Sequence, residues 1–422
     1  MQNAECKVQN AETRSAWFVV FCILHFAFCI RAEARQRIVR GETPASWLHA
    51  HAIPLASVEP SNDESDLAPL LPLVANARVI ALGDATHGTH EFFSVKQRLI
   101  PFLVKHANVR TIIFEAPYAE IEMINDYVRT GAGDPAPLLH IDNYFFWNAD
   151  EVLDTIRWIR AWNAAGNAPV EVAGADAFHT QTTIARMLSQ LDGGLRGEAE
   201  KDYACVASIS LSTAQWYRDA CRASVMSVRP LLEANHAAPE IVHAARIVEQ
   251  GEEALDRDSA MAENIEWLAD RAGAGNFVVW GHNEHFGKTP TTLNDPNGVT
   301  STGTYLAEHY RERYVSIGTI ALKGTFNASE LWGSDWIVGQ YSMLDAAPDD
   351  FATQFATASM PRMIVPLRGS LPSWLALAHP IRVAGSNVAS HTQTTVAVTE
   401  EIAKKFDALI YVETTTATHL RP

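Results

Sequence analysis

The sequence is poor in cysteine and has few basic residues for its number of acidic ones. Its 422 residues include five cysteines, and none of them stands in the Cys-x-x-Cys or Cys/His spacing of a structural zinc site. The sequence has 33 lysines and arginines but 49 aspartates and glutamates, so the formal net charge is −16 at pH 7. An acidic surface disfavours nucleic acid and anionic membranes as partners. The first expectation is a protein that binds neither nucleic acid nor a structural metal ion.

The cysteines divide into two groups. Cys6, Cys22 and Cys29 lie in the first 30 residues, whereas Cys205 and Cys221 lie in the body of the chain. The latter two can form one disulfide in an oxidising compartment, or they can remain free thiols on helices. The sequence leaves both interpretations open.

The motifs of three large enzyme classes are also missing. There is no Gly-x-Ser-x-Gly nucleophile elbow, no evident Ser/His/Asp arrangement, no P-loop and no Gly-x-Gly-x-x-Gly after a strand. Common serine hydrolases, nucleotide hydrolases and dinucleotide-dependent enzymes are therefore disfavoured, and no cofactor is expected. Histidines and carboxylates remain, and their natural chemistry is general-base activation of a water molecule.

An apolar run of signal-peptide length covers residues 16–30. Basic residues precede it, and an Ala-x-Ala sequence at 32–34 resembles a cleavage site. The run is shorter than the about 20 residues of a transmembrane helix, so no stable membrane span is expected. Residues 1–34 are predicted to be a secretory signal, which implies a periplasmic or secreted protein. QNAE and FCI each recur within this segment, so the segment can also be a DNA repeat that is translated by mistake. In that case the true start lies further downstream, and the protein is cytoplasmic.

From about residue 43 to residue 422, short β-rich apolar runs alternate with longer amphipathic segments. With 47% hydrophobic and 19% charged residues, the chain has the composition of a folded globular protein. The alternation predicts an α/β fold with a layered, central, mostly parallel sheet flanked by helices. Predicted strands cover residues 78–82, 111–114, 170–173, 277–280, 314–318, 363–367 and 408–412, and predicted helices cover residues 92–106, 120–129, 149–163 and 260–271.

Two features interrupt this alternation. Residues 181–261 have helical patterns, and no strand is predicted among them. This predicts a helical insertion, which either covers one side of a binding site or is a plain packing layer. Pro101 lies inside the helix predicted at 92–106. Because proline removes a backbone hydrogen bond there, we expect a kink or a break.

Acidic residues and histidines occur at the ends of four predicted strands. The residues concerned are Asp84, His87, Glu115, Asp176, His179, His282 and His285. In open α/β sheets, binding sites form outside the carboxyl ends of the strands. We therefore expect these side chains to converge.

Taken singly, several of these residues also have structural interpretations. Asp84 can cap the turn that follows it. Glu115 is the stronger candidate, because it ends an apolar run and a buried carboxylate needs a partner. His282 and His285 are three residues apart, so on a helical turn they share a face. That spacing also suits a metal pair, although it is not the His-Glu-x-x-His spacing of zinc peptidases.

The chain resembles the erythromycin esterases and their esterase-like relatives from about residue 46 to the C-terminus. The matching stretches, in order, are VIALGDATHGTHEFFSVKQRL (79–99), IIFEAPYAE (112–120), DEVLDTIRWIRAWN (150–163), VAGADAF (172–178), RDSAMAENIEWL (257–268), VVWGHNEHF (278–286) and YVSIGT (314–319). The resemblance implies hydrolysis of an ester or macrolide lactone by a histidine-activated water, without a covalent enzyme intermediate. It also implies a role in macrolide resistance.

By position, the resemblance assigns catalytic roles to five residues. His87 matches the general base, and Glu115 matches the carboxylate that pairs with the active centre. Asp84 stands where the best-known members have glutamate. His282 and His285 match the family's histidine pair.

Two further residues are expected to bind substrate. Glu91 and Lys96 match positions that line the same cleft, and Lys96 is an arginine in some members. Lysine keeps the charge but loses the bidentate fork of arginine. This departure, together with Trp280 before the histidine pair, leaves open a small-molecule ester other than a macrolide.

Other interpretations also stay open. Distant relatives of this architecture bind metal or haem through similar strand-end residues, which makes a metal- or haem-binding protein the alternative, and a non-catalytic binding protein a third. Aromatic residues near the motifs either form the floor of an apolar pocket or belong to the hydrophobic core. These are Phe92, Phe93, Phe145, Phe146, Trp147, Trp280 and Phe286.

Overall fold

The computed structural model describes residues 42–209, 213–252, 256–271, 273–293, 295, 297–332 and 334–422. The predicted signal segment and the alternative downstream start lie outside these residues. In the described part of the chain, no helix combines the length and the apolar character that a bilayer crossing requires.

Strands and helices alternate along the described residues. The strands are β1 (Ile53–Pro54), β2 (Val79–Asp84), β3 (Val109–Pro117), β4 (Glu171–Asp176), β5 (Asn276–His282), β6 (Tyr314–Trp332), β7 (Asp335–Ser342), β8 (Arg362–Pro366), β9 (His379–Val383), β10 (Val396–Glu400) and β11 (Ala408–Thr415). The α-helices are α1 (Pro44–His51), α2 (Leu71–Val74), α3 (His90–His106), α4 (Tyr118–Thr130), α5 (Asp150–Ala164), α6 (Thr180–Ser189), α7 (Gly193–Tyr203), α8 (Gln215–Ala234), α9 (Pro239–Glu252), α10 (Arg257–Arg271), α11 (Asn283–Phe286), α12 (Thr302–Tyr310), α13 (Phe351–Ala356), α14 (Ser373–Ala376) and α15 (Ile402–Lys405).

The central sheet has the strand order β1-β8-β11-β6-β2-β5-β3-β4. The six strands from β11 to β4 are parallel, and β8 runs antiparallel to β11. β7 pairs with the far part of β6, and β9 and β10 form a separate two-stranded ribbon. The predicted fold class is confirmed, and each of the seven predicted strands is present. The sequence missed β1, β7, β9 and β10, which are short or only partly buried and have no continuous apolar run.

The central strands are apolar on both faces because helices cover both faces. Along β2, Ile80 and Leu82 join the core beneath α3, α4 and α5, whereas Val79 and Ala81 join the core beneath α10 and α12. Such two-sided burial is typical of parallel strands. Burying one side chain of this size contributes about 1.5–3 kcal/mol, so the sheet fixes the position of the strand ends firmly.

Helix α3 is continuous from His90 to His106 through Pro101, so of the two expected outcomes, a kink or a break, the break does not occur. The helix buries Leu99 and Ile100 before the proline and Phe102 and Leu103 after it. Proline inside a helix costs about 3 kcal/mol. Burial of these four side chains offsets that cost.

The described residues between β4 and β5 form helices α6 to α10 and contain no strand. Helices α6 to α9 pack around a core of their own, which includes Met187, Val225 and Leu232. Cys205 and Cys221 form a disulfide within this layer. Of the two interpretations that the sequence left open for these cysteines, the structure has the disulfide.

His243 in α9 predicts an acid sensitivity of this layer. The ring is 3% exposed and stacks on Trp267 with a centroid separation of 3.7 Å, and burial lowers its pKa to about 3. The folded protein keeps the ring neutral while the unfolded chain protonates it below its ordinary pKa of 6.5, so stability is lost as the pH falls from 6.5 toward 3. Between about pH 7.5 and about pH 5, the wild type should lose about 2 kcal/mol more unfolding free energy than His243→Phe.

Urea unfolding of both proteins at the two pH values measures this difference. Other titrating groups are common to both proteins and cancel in the comparison. Equal losses in the two proteins would show that His243 is protonated equally well in the folded and unfolded chains.

Candidate active site

The carboxyl ends of β2, β5, β3 and β4 meet at one edge of the sheet. The register places Asp84 at the end of β2 directly beside His282 at the end of β5. Glu115 follows Phe114 in β3, which pairs with Trp280 in β5. His87 lies in the loop between β2 and α3, and His285 lies in α11. The structure thus brings together the five residues that were predicted to be catalytic.

A cleft with a volume of about 990 Å³ opens over this edge of the sheet. Four of the five predicted catalytic residues line it, and Asp84 lies behind them. Apolar side chains contribute to the walls: Phe146, Phe178, Leu293, Val299, Val383, Val388 and Val396. A cleft of this size and lining can hold a sizeable, partly apolar small molecule.

His87 lies between a carboxylate and an aromatic ring. Its Nδ1 lies 3.0 Å from Asp84 Oδ1, and its ring stacks on Phe146 with a centroid separation of 4.2 Å. Its Nε2 lies 4.0 Å from Glu115 Oε1. Because Nδ1 faces Asp84, Nε2 is the nitrogen that meets a molecule in the cleft.

Asp84 is buried and paired with Lys96. Its Oδ2 accepts a hydrogen bond from the Lys96 ammonium, and both side chains are at most 1% exposed. Burial opposes the charge on Asp84, but the ammonium and His87 outweigh it, so the pKa of Asp84 lies below its ordinary value. The ammonium also lies 5.3 Å from the ring centroid of Trp280. Lys96 therefore keeps the partner of His87 ionised.

Glu115 is a buried carboxylate surrounded by donors. Its Oε1 accepts from Arg257 at 2.9 Å and lies 3.4 Å from His285 Nε2, and its Oε2 accepts from the backbone N–H of His282 at 2.8 Å. Burial alone would raise the pKa of Glu115, but His285 and Arg257 hold it well below its usual range. The carboxylate fits here because residue 281 is glycine, since a Cβ at that position would overlap Glu115.

His285 is held between two carboxylates. Its Nδ1 donates to Asp258 Oδ1 at 2.8 Å, and Asp258 also accepts from the backbone and hydroxyl of Thr302. Burial opposes a charge on the ring, but Glu115 and Asp258 outweigh it and raise the pKa of His285. His285 is thus protonated more readily than a free imidazole.

His282 is occupied by backbone groups on both sides of its ring. Its Nδ1 accepts from the N–H of Glu284 at 3.3 Å, and its Nε2 faces the carbonyl oxygens of Ala85 and Ala384 at 3.3 and 3.2 Å. Burial lowers the pKa of His282 to about 4, so the ring is neutral at neutral pH. His282 therefore ties the loop after β2 to the segment after β9, and its catalytic role stays a prediction.

The two residues predicted to bind substrate do not line the cleft. Glu91 accepts hydrogen bonds from the backbone and hydroxyl of Thr416, at 2.7 and 3.0 Å, and so anchors the C-terminal segment. Lys96 is drawn inward by the buried charge of Asp84. Both side chains are directed to protein partners, and their contact with substrate stays a prediction.

The sequence missed Arg257 at the start of α10. Its guanidinium donates to Asp176 at 2.6 and 2.9 Å and to Glu115 at 2.9 Å, and its Nη1 lies 3.0 Å from His285 Nε2. Burial disfavours this charge, yet Asp176 and Glu115 raise the pKa of Arg257 well above its ordinary value. Tyr144 donates to Asp176 at 2.7 Å from the other side. A signal was present: Arg257 and Asp258 open one of the seven stretches that carry the family resemblance.

The aromatic residues near the motifs divide between the cleft and the core. Phe146 lines the cleft and supports His87. Phe145 is partly buried against the core. The others are buried in the core: Phe92, Phe93, Trp147, Trp280 and Phe286. A further wall comes from residues 383–389, 393, 394 and 396, around β9 and β10, which the sequence did not indicate.

The chain is similar in sequence to proteins of known or assigned activity. The chain is 21% identical to erythromycin esterase type II of Escherichia coli, over 66% of this chain and 77% of that one. It is 22% identical to the putative hydrolase YbfO of Bacillus subtilis (strain 168), over 72% of this chain and 77% of that one.

Solved structures share the fold. A Bacillus cereus protein has a TM-score of 0.78 at 27% identity, covering 90% of this chain and 98% of that one. A mutant of the erythromycin esterase EreC in its open conformation has a TM-score of 0.66 at 16% identity, covering 86% and 96%. The family model described as erythromycin esterase matches residues 104–415. Since this match covers well over half of the 422 residues, the chain belongs to the erythromycin esterase family.

Proposed function

We propose that the protein hydrolyses an ester or lactone bond of a small molecule, using a water activated by His87 and no covalent enzyme intermediate. The observation that carries this proposal is the orientation of His87, whose Nδ1 lies 3.0 Å from Asp84 while Nε2 lies 4.0 Å from Glu115. A distance of 4.0 Å is too long for a direct hydrogen bond and suits a water that contacts both groups.

The two candidate bases differ in proton affinity. Glu115 is held ionised by Arg257 and His285, and a carboxylate with a strongly lowered pKa is a weak base. Glu115 therefore orients the water by accepting one hydrogen bond, and His87 Nε2 takes the other proton. Asp84 stabilises the imidazolium that results.

The remaining steps use the positive groups of the cleft. As the water oxygen bonds to the carbonyl carbon, negative charge develops on the carbonyl oxygen, and Arg257 and His285 stabilise it. The acyl–oxygen bond then breaks, and the proton held by His87 passes to the leaving alkoxide. Acid and alcohol are released, and His87 returns to its neutral form.

The cleft also suits the proposed substrate class. Macrolide lactones are large and mostly apolar, and the wall residues Phe146, Phe178 and Leu293 offer apolar surface beside the charged centre. The names of the related erythromycin esterases point to the same class. We therefore propose macrolide hydrolysis, and with it macrolide resistance, as the leading activity.

Mass spectrometry in water enriched in heavy oxygen tests the mechanism. The purified protein is incubated with erythromycin and with a panel of simpler lactones and esters, beside His87→Ala. We expect a product that has gained one water and carries the label in its carboxyl group, with no adduct on the intact protein and no product from the variant. An acyl adduct on the protein, or equal product from His87→Ala, contradicts the proposal.

A further inference from the structure

A second cluster of histidines and a carboxylate lies outside the cleft lining. It forms where the starts of α3 and α5 meet the C-terminal segment. His90 Nδ1 lies 2.5 Å from Glu151 Oε1, and His419 Nδ1 lies 3.2 Å from the same oxygen. The two imidazole rings are 4.6 Å apart between centroids. One nitrogen from each histidine and the carboxylate oxygen all lie within 4.8 Å of one another.

Glu151 has an unfilled bonding capacity at this place. The residue is 3% exposed, and its Oε2 has no hydrogen-bond partner among the described residues. Buried carboxylate oxygens are normally paired with a donor or a cation. The carboxylate whose Oε1 contacts both histidines thus has a second oxygen without a partner, which favours a bound cation beside the histidine spacing.

The surroundings hold the three side chains in place. His90 turns its Nε2 to Glu59 Oε1 at 3.0 Å, so the ring is oriented by one carboxylate while Nδ1 faces the other. This arrangement matches the outer carboxylate that commonly orients metal-binding histidines. The backbone N–H of His419 donates to Glu151, and that of Asp150 donates to the carbonyl of His419.

We propose that His90, Glu151 and His419 bind one divalent transition-metal ion, with zinc as the best match. Two imidazole nitrogens and one carboxylate oxygen are a common set of three protein ligands for zinc, with water in the fourth position. The His419 side chain is 64% exposed, which leaves the outer side of the site open to solvent. The metal replaces the proton that His90 shares with Glu151, so its binding releases protons to solvent.

The site joins the C-terminal segment to the catalytic loop. His90 follows Thr89 at the end of the loop that carries His87, and Glu91 already anchors Thr416 of the same segment. A metal ion bound here cross-links α3, α5 and the C-terminal segment without touching the cleft. Its effect is therefore on the stability of this corner, and it is independent of the reaction proposed above.

Zinc titration of chelator-treated, untagged full-length protein tests the proposal. Calorimetry should show one zinc-binding event in the wild type that is missing in His419→Ala, and zinc should raise the Tm of the wild type only. His391→Ala is the matched control, because His391 is also exposed and lies 3.7 Å from a carboxylate, that of Glu330. That variant should bind zinc as the wild type does.

A second variant separates ligand loss from misfolding. Glu59→Gln keeps all three ligands and should weaken zinc binding about 10–100-fold by removing the orienting carboxylate. Binding at the active-site histidines, if it occurs, persists in His419→Ala and is counted separately. The proposal is overturned if the wild type takes up no zinc, or if His419→Ala binds the same number of ions with the same affinity.

Discussion

His87→Ala should lower kcat for ester hydrolysis by about 10³-fold or more while the protein stays folded. General-base catalysis by a positioned side chain typically contributes about 10²–10⁴-fold, and Glu115 is too weak a base to replace His87. The fold should survive because the ring lies at the cleft and packs mainly against Phe146. Steady-state kinetics on the substrate identified by mass spectrometry, with circular dichroism and a melting curve, measures both effects.

Ser386→Ala is the matched control for this result. Within the described part of the chain, Ser386 is the only serine of the cleft lining, and no cysteine lines it. If water is the nucleophile, the serine variant keeps kcat within the wild-type order of magnitude. A loss in Ser386→Ala as large as that in His87→Ala would instead indicate a serine nucleophile.

Lys96→Met should lower the free energy of unfolding by about 3–5 kcal/mol. The variant leaves Asp84 buried without its cation, because neither the Lys96 nor the Asp84 side chain is more than 1% exposed. Hydrolysis should fall as well, because an uncompensated Asp84 takes up a proton more readily and then no longer stabilises the His87 cation. Urea unfolding at neutral pH gives the stability change, and kcat in the folded range gives the catalytic one.

Lys404→Met provides the comparison for this prediction. Lys404 pairs with Glu401 at 2.7 Å, but the two side chains are 58% and 42% exposed. Removing an exposed pair of this kind should change stability by less than about 1 kcal/mol. If Lys96→Met behaves like Lys404→Met, then Asp84 is not held as an ion by Lys96.

The fold was largely predictable because parallel strands that are buried on both faces have continuous apolar runs. The seven strands predicted from such runs are the six parallel strands of the sheet and the antiparallel β8 beside them. The β6–β7 extension and the β9–β10 ribbon have mixed burial, so their sequences do not differ clearly from those of loops. Pro101 does not break α3, because the burial of side chains on both sides of it outweighs the local cost of a proline, and the sequence alone does not show that burial.

By itself, the sequence determined the fold class and the sheet edge at which the candidate site lies. Once the strands are parallel, their carboxyl ends must share one edge, and this condition brings Asp84, Glu115 and the histidine pair together. The family resemblance then selected His87 among the possible bases.

The tertiary structure alone decided which side chains face the cleft and what charge they carry. Arg257 reaches Glu115 from 142 positions away, after the helical segment between β4 and β5. Lys96 and Glu91 turn to protein partners, and His282 is neutralised by burial. Side-chain direction and desolvation depend on neighbours that are distant in sequence, and no local pattern encodes them.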